Sequence, residues 1–361
     1  MRDDSALYRA DRLTPRTALI GCGRIAGNHL AAARANGLFI AALCDLDARR
    51  AHEKAPENAA VYTDYRRMLD EIRPELVVIA TDSGSHAAIA LDCLAAGCHV
   101  LIEKPVALSL SSADALCAAA ERHGRIAAVC HQNRFNAPVR ALRAALDDGA
   151  LGRLCHGAAQ VRWRRDDAYY AQAAWRGRWE SDGGTLMNQC IHCIDLLRWI
   201  FGPPAEVCGC LGRLCHPQIE AEDTGIAAIR FQSGALGLIE GSACVWPENL
   251  SETLSVFGTR GSVVLGGKSL ECAELWRLAD DRLPPPPEHP PDLYGFGHAR
   301  LYADLLAALR ENRAPLVGVR DGRDALELVL AVYRAAKERR VVSLPMTDDF
   351  SAADMKAVWE Q

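Results

Sequence analysis

The chain is poor in several things, and each shortage narrows what it can do. Aromatic residues make up only 6% of its 361 residues. Lys and Arg number 41 against 46 Asp and Glu, for a net charge of -5. With no basic stripe and no interleaving of basic and aromatic residues, nucleic acid is not an expected partner. No uninterrupted apolar run is long enough to cross a bilayer. Residues 1–15 are polar and charged and lack the apolar core of a secretion signal, so they read as a short tail on a cytoplasmic protein. Cysteine is plentiful at 14, but paired zinc-type spacing is missing. Cys208, Cys210, Cys215 and His216 form one group and Cys190, His192 and Cys193 another, and neither combines two C-x-x-C pairs, Cys190 and Cys193 being a lone one. No metal is expected. Cys44, Cys93, Cys117 and Cys130 sit in apolar patterns and read as buried thiols of a reducing compartment.

What is present is a sizeable core, with 50% of residues apolar, and a length that suggests two domains. The most informative stretch is a strand-like run at 17–20 that enters Gly21-Cys22-Gly23-Arg24-Ile25-Ala26, followed by an amphipathic segment to residue 35. Strand, glycine turn and helix in that order bind dinucleotides. Gly21 permits the turn. Gly23 lets the backbone approach a pyrophosphate, and Ala26 fills the third small position. The helix N-terminus offers free N–H groups and a positive dipole end to the phosphates. Gly21, Gly23, Arg24 and Ile25 are the predicted cofactor contacts there. A second strand, 39–44, ends at Asp45, placed to bind a ribose diol and to repel a 2′-phosphate. NAD is therefore expected over NADP, although Arg49 and Arg50 weaken the preference. A helix N-cap is the competing use of Asp45.

Strands at 17–20, 39–44, 76–80, 99–102 and 126–130 alternate with helical patterns at 65–72, 86–96 and 111–122. This predicts an N-terminal doubly wound Rossmann domain over 16–135. Ligands bind beyond the carboxyl ends of such strands, which selects Thr81, Ser83, His86, Glu103, Lys104 and Gln132 as further cofactor contacts. From 136 to 361 the pattern changes to long strands at 154–164, 206–214, 224–231, 235–245 and 252–257, with hairpin turns at 232–234 and 258–261. Helices are expected at 138–146, 186–201, 298–311 and 323–337, with a proline-rich loop near 284–291. The second domain reads as α+β, with a large, open-faced, mostly antiparallel sheet for substrate and oligomer contacts.

Three segments are candidates for chemistry. Glu103-Lys104-Pro105 follows a strand, and Pro105 fixes the chain so that Lys104 faces the cofactor; a surface lysine is the alternative. Gly183-Gly184 allows a ligand to approach the backbone. Asn188 and His192 then lie four apart on one helical face, flanked by Gln189 and Asp195. The third segment is Arg162 to Arg165, Tyr169-Tyr170 and Trp175 to Trp179. Aromatic faces and arginines there suit an anionic, ring-shaped ligand, or equally a subunit interface.

Gly21-x-Gly23-x-Ile25-Ala26-x-x-His29, Glu103-Lys104-Pro105 and Gly183-Gly184-x-Leu186 through His192-x-x-Asp195 together resemble the Gfo/Idh/MocA oxidoreductase family. Gln132-Asn133-Arg134-x-Asn136, Trp163-x-Arg165, Tyr169-Tyr170, Trp175-Arg176-Gly177-x-Trp179, Asn188-Gln189 and Tyr294 to His298 are similar to its UDP-N-acetylglucosaminuronate 3-dehydrogenases. The resemblance implies NAD-dependent oxidation of a sugar C3 hydroxyl in surface-polysaccharide synthesis. His192 would act as base, Lys104 would stabilise the hydroxyl oxygen and Asn188 would orient it. An amide cannot take up a proton, so Asn188, which stands where many relatives carry Asp, leaves the base role to His192. Arg134, Asn136, Arg165, Tyr169, Tyr170, Trp175, Arg176, Gln189 and His298 join these three as expected substrate contacts. The implied partners are an anionic sugar or nucleotide sugar and a second copy of the chain, as a homodimer or homotetramer. A dehydrogenase or reductase of a free sugar or polyol is the nearest alternative. A non-catalytic NAD-binding regulator is a more distant one.

Overall fold

The computed structural model describes residues 14–289 and 295–360. Most of the tail, Pro290-Pro291 and Tyr294 lie outside the described residues.

The first part is a six-stranded sheet, β1 (Thr17–Ile20), β2 (Ile40–Cys44), β3 (Ala60–Tyr62), β4 (Leu76–Ile79), β5 (His99–Ile102) and β6 (Ala127–Val129), in the order β3-β2-β1-β4-β5-β6. All its pairings are parallel. Parallel strands flanked by helices are buried on both faces, so β1 and β4 are buried throughout and carry no alternation. The intervening helices include α1 (Ala26–Ala35), α2 (Ala48–Lys54), α3 (Tyr65–Ile72), α4 (His86–Ala95) and α5 (Leu110–His123). Strand β3 and helix α2 escape the sequence pattern: β3 is only three residues of half-buried chain, and α2 buries Ala51 alone.

The second part is an eight-stranded sheet. Its strands are β7 (Leu154–Arg162), β8 (Pro204–Gly212), β9 (Thr224–Phe231), β10 (Leu236–Ser242), β11 (Ser251–Gly258), β12 (Gly261–Gly266), β13 (Cys272–Leu278) and β14 (Val342–Ser343). The order is β13-β12-β11-β7-β10-β9-β8-β14. Only β10 and β7 pair in parallel, and the other neighbours are antiparallel, as the alternating pattern predicts. Helices α6 (Ala137–Asp147), α7 (Asp167–Ala171), α8 (Ile191–Phe201), α9 (Gly297–Glu311) and α10 (Val319–Glu338) complete the chain, with α8 and α10 packed on one face of the sheet. On that face Ala159, Val161, Ile229, Ile239 and Leu254 are buried. The opposite face leaves Ile226, Leu236 and Leu238 exposed.

The helix expected at 186–201 is divided. Leu186–Cys190 is a π-helical turn, and α8 begins at Ile191. Such turns widen the coil and free backbone groups from the regular ladder. Nor do the glycines before it face a ligand. A Cβ on Gly184 would overlap the Glu222 carboxylate, and one on Gly183 would lie 2.6 Å from Met187. Their lack of a side chain serves internal packing.

Candidate active site

A cleft of about 2030 Å³ runs across the carboxyl ends of β1, β2, β4 and β5 to the near edge of the eight-stranded sheet. Position dictates this: strand ends in a parallel sheet leave a crevice where the order reverses.

At one end lies the glycine turn. Gly21 has φ +93°, and a Cβ there would lie 2.4 Å from the Ala80 carbonyl oxygen, so β4 itself requires glycine. Gly23 has nothing within 4 Å of where its Cβ would be and opens onto the cleft beside Arg24 and Ile25. Asp45 accepts hydrogen bonds from Cys22 N at 2.8 Å and Asp47 N at 2.9 Å, which fixes its carboxylate at the cleft wall. The N-cap of α2 is Asp47, whose side chain accepts from Arg49 N, so capping is not what Asp45 does. Thr81, Ser83 and His86 line the same wall, and His86 Nδ1 meets the Pro105 carbonyl at 2.8 Å. An open glycine, the positive dipole end at the start of α1 and a fixed carboxylate beyond β2 are the features a dinucleotide needs.

At the centre, Glu103 is buried beneath the cleft and accepts hydrogen bonds from His29 Nε2 at 3.0 Å and Lys104 N at 3.1 Å. Burial raises its pKa, but hydrogen bonds and charge from His29 and His298 outweigh burial and hold the carboxyl well below the usual range. Lys104 Nζ donates to the Asn188 main-chain carbonyl at 2.6 Å. Burial lowers its pKa, with Glu103 and Asp182 opposing. His192 sits on the same wall, held well below its ordinary pKa by burial first, then by Lys104 and His131. Gln132 Nε2 lies 3.4 Å from His192 Nε2. His192 Nδ1 is buried with no hydrogen-bond partner among the described residues. His131 is buried edge-on to this ring at 5.5 Å.

Toward the second sheet, Asn188 donates to Asp182 Oδ1 and accepts from Gln189 Nε2 at 2.6 Å. Asp182 also accepts Gly177 N at 2.7 Å, and burial raises its pKa to about 6. Arg165 donates to Gln189 Oε1 at 2.9 Å and stacks between Trp163 and Tyr169. Arg176 covers the other part of the Tyr169 ring at 3.9 Å. Trp175 and His298 also line the cleft.

Three expected substrate contacts are elsewhere. Arg134 is 1% exposed, donating to both oxygens of Asp195 at 2.7 and 2.6 Å and to Asp321 at 2.9 Å. Its charge is consumed by two carboxylates, so it cannot also serve a ligand. Asn136 is buried and donates to the Ser269 carbonyl. Tyr170 turns away from the cleft and packs on His216 at 5.0 Å. Residues with no role assigned from sequence also face the cleft, among them Asn133, Asn249 and Glu252. Asn133 donates to Glu252 Oε1 at 3.1 Å, and burial lifts the Glu252 carboxyl to about 8. The donor groups close enough to share a metal have only His216 in common with the two Cys/His groups picked out in the sequence. Among the described residues they are His29, Glu103, Cys130 and His298, and His216, Asp223 and Cys244.

Fold and cleft together define an oxidoreductase with an NAD-binding Rossmann domain. Residues 15–131 match the family model for the NAD-binding Rossmann fold of the Gfo/Idh/MocA oxidoreductases, and residues 139–264 match that family's C-terminal domain. The chain belongs to the Gfo/Idh/MocA family. It is 34% identical to the WlbA dehydrogenase of Bordetella pertussis, solved with NADH and UDP-GlcNAcA, with TM-score 0.84 over 92% of this chain and 98% of that one. The corresponding enzyme of Chromobacterium violaceum is 33% identical, with TM-score 0.85 over 94% and 98% of the two chains. The D-apiose dehydrogenase of Paraburkholderia graminis is 30% identical, over 91% of this chain and 89% of its own.

Proposed function

We propose that this NAD-dependent sugar dehydrogenase oxidises the C3 hydroxyl of a UDP-N-acetylglucosaminuronate-like nucleotide sugar to a 3-keto sugar. The observation that carries the reading is the meeting of Lys104 and His192 on one cleft wall, beside the Arg165–Tyr169–Arg176 array. Bound NAD supplies the hydride acceptor. His192 takes the hydroxyl proton, because its lowered pKa leaves the ring neutral near pH 7. Lys104, seated on the Asn188 carbonyl, directs its remaining N–H groups at the same oxygen and stabilises negative charge as it develops. Asn188, tied to Asp182 and Gln189, orients the hydroxyl. Arg165 and Arg176 meet the carboxylate and diphosphate, and Trp175 offers an apolar ring face. The likeness to the two WlbA enzymes supports this substrate.

The test is a panel of UDP-sugars and free sugars with NAD, followed by NADH absorbance. UDP-N-acetylglucosaminuronate should exceed every neutral free sugar in kcat/KM by at least about 100-fold, the effect of two lost charge-assisted contacts. Equal turnover of a free sugar favours the second reading, a free-sugar dehydrogenase, to which the D-apiose enzyme points.

We also propose that the exposed face around Ile226, Leu236 and Leu238 seats a second copy, giving a homodimer or homotetramer. Sedimentation should show an oligomer at micromolar concentration that Leu238→Lys dissociates. A monomeric parent chain refutes this.

A further inference from the structure

Arg165 reaches the cleft from a main chain that is itself pinned from behind. Its carbonyl lies 2.8 Å from His216 Nε2, and the other ring nitrogen of His216 lies 3.2 Å from Asp223 Oδ2. Both partners are acceptors only. The ring can satisfy both only as an imidazolium, with an N–H on each nitrogen. Asp223 is well supplied to remain ionised opposite it. Its oxygens also accept the backbone N–H groups of Leu214 at 2.9 and 3.0 Å, Cys215 at 2.7 Å and His216 at 3.0 Å. The hydrogen bond to Asp223, then one to Cys244, lifts the His216 pKa to about 10 despite burial. Among the described residues, the titratable group stacked on the ring is Tyr170.

Tyr170 explains why the pair reaches further than one carbonyl. His216 packs on Tyr170 at 5.0 Å, and Tyr170 meets Tyr169 edge-on at 5.2 Å. Tyr169 in turn carries Arg165 at 5.2 Å and Arg176 at 3.9 Å. Neither His216 nor Asp223 lines the cleft.

We propose that His216 and Asp223 are positioning residues, a buried imidazolium–carboxylate pair that fixes the Arg165–Tyr169–Arg176 array for an anionic sugar substrate. The substrate part rests on the function proposed above. The charge state of the pair does not, and the experiment separates the two.

In the full-length protein at pH 8, ¹⁵N NMR of the His216 ring should show both nitrogens protonated. A neutral ring overturns the proposal whatever the substrate is. On the best-turned-over sugar of the panel, His216→Ala should raise KM on the order of tenfold and leave kcat within about twofold. His216→Gln, whose amide can still donate to the Arg165 carbonyl, should recover part of that loss and serves if the alanine variant fails to fold. In an Arg165→Ala background, His216→Ala should add less than about twofold, because its effect runs through that arginine. An unchanged KM, a fall confined to kcat, or full additivity with Arg165→Ala overturns the positioning role. If no nucleotide sugar turns over while the ring is doubly protonated and the KM effect appears on another sugar, the substrate reading falls and the pair stands.

Discussion

His192→Asn should lower kcat/KM by 10²–10⁴, the usual contribution of a positioned general base, while NADH binding stays within a few-fold of the parent. Steady-state kinetics between pH 5 and 10 check both the size and the cause. The folded ring has a pKa well below 6.5, so its neutral, proton-accepting form persists through neutrality. That form is lost only as pH falls through the lowered value. The parent enzyme should therefore show an acid limb below pH 6.5, and the variant should lack it. Lys104 must remain an ammonium, and burial lowers its pKa from 10.5. The alkaline limb should accordingly lie below pH 10.5 and survive in the His192 variant. Parent-like turnover with an unchanged profile would remove His192 from the chemistry.

Arg134→Met should cost about 3–5 kcal/mol in stability, the scale of breaking a buried ion pair from one side. Removing the guanidinium leaves Asp195, itself 1% exposed, ionised and without its partner. Urea denaturation measures the loss. A second substitution, Asp195→Asn, should return much of it, because the orphaned charge is then gone. A cost below about 1 kcal/mol would mean the Asp195 charge is relieved elsewhere, and His131 and Arg198 are the other groups whose charge favours the ionised Asp195. Activity should fall as well. Arg134 follows Gln132 in one short turn, and Asp195 lies one helical turn beyond His192, so the pair holds the Gln132 amide against the His192 ring.

Arg134 also shows where sequence reading stops. The glycine turn, Asp45 and the strand-end residues were legible because each is local: a few neighbouring residues fix strand, turn and helix. Lys104 and His192 were legible as separate motifs, and the topology brings them to one wall. The partners that decide what a cation does are not local. Arg134 finds Asp195 and Asp321 at separations of 61 and 187 residues, and spacing along the chain carries no trace of that pairing. Tyr170 failed for a related reason. A Tyr-Tyr pair on a short helix places the two rings in different directions, and only tertiary packing chooses which one meets the cleft. The Gly183-Gly184 pair suggests room for a ligand in the sequence, whereas Glu222 and Met187 take that room in the fold. Small strands such as β3 lack enough residues for any periodicity to register.

The ammonium of Lys104 rests on a main-chain oxygen that the widened turn at Leu186–Cys190 makes available, and not on any side chain. A seat made of backbone survives replacement of the residue that supplies it. Position 188 can thus exchange acid for amide while the lysine keeps its place, and under the function proposed above proton handling would then rest with the imidazole alone.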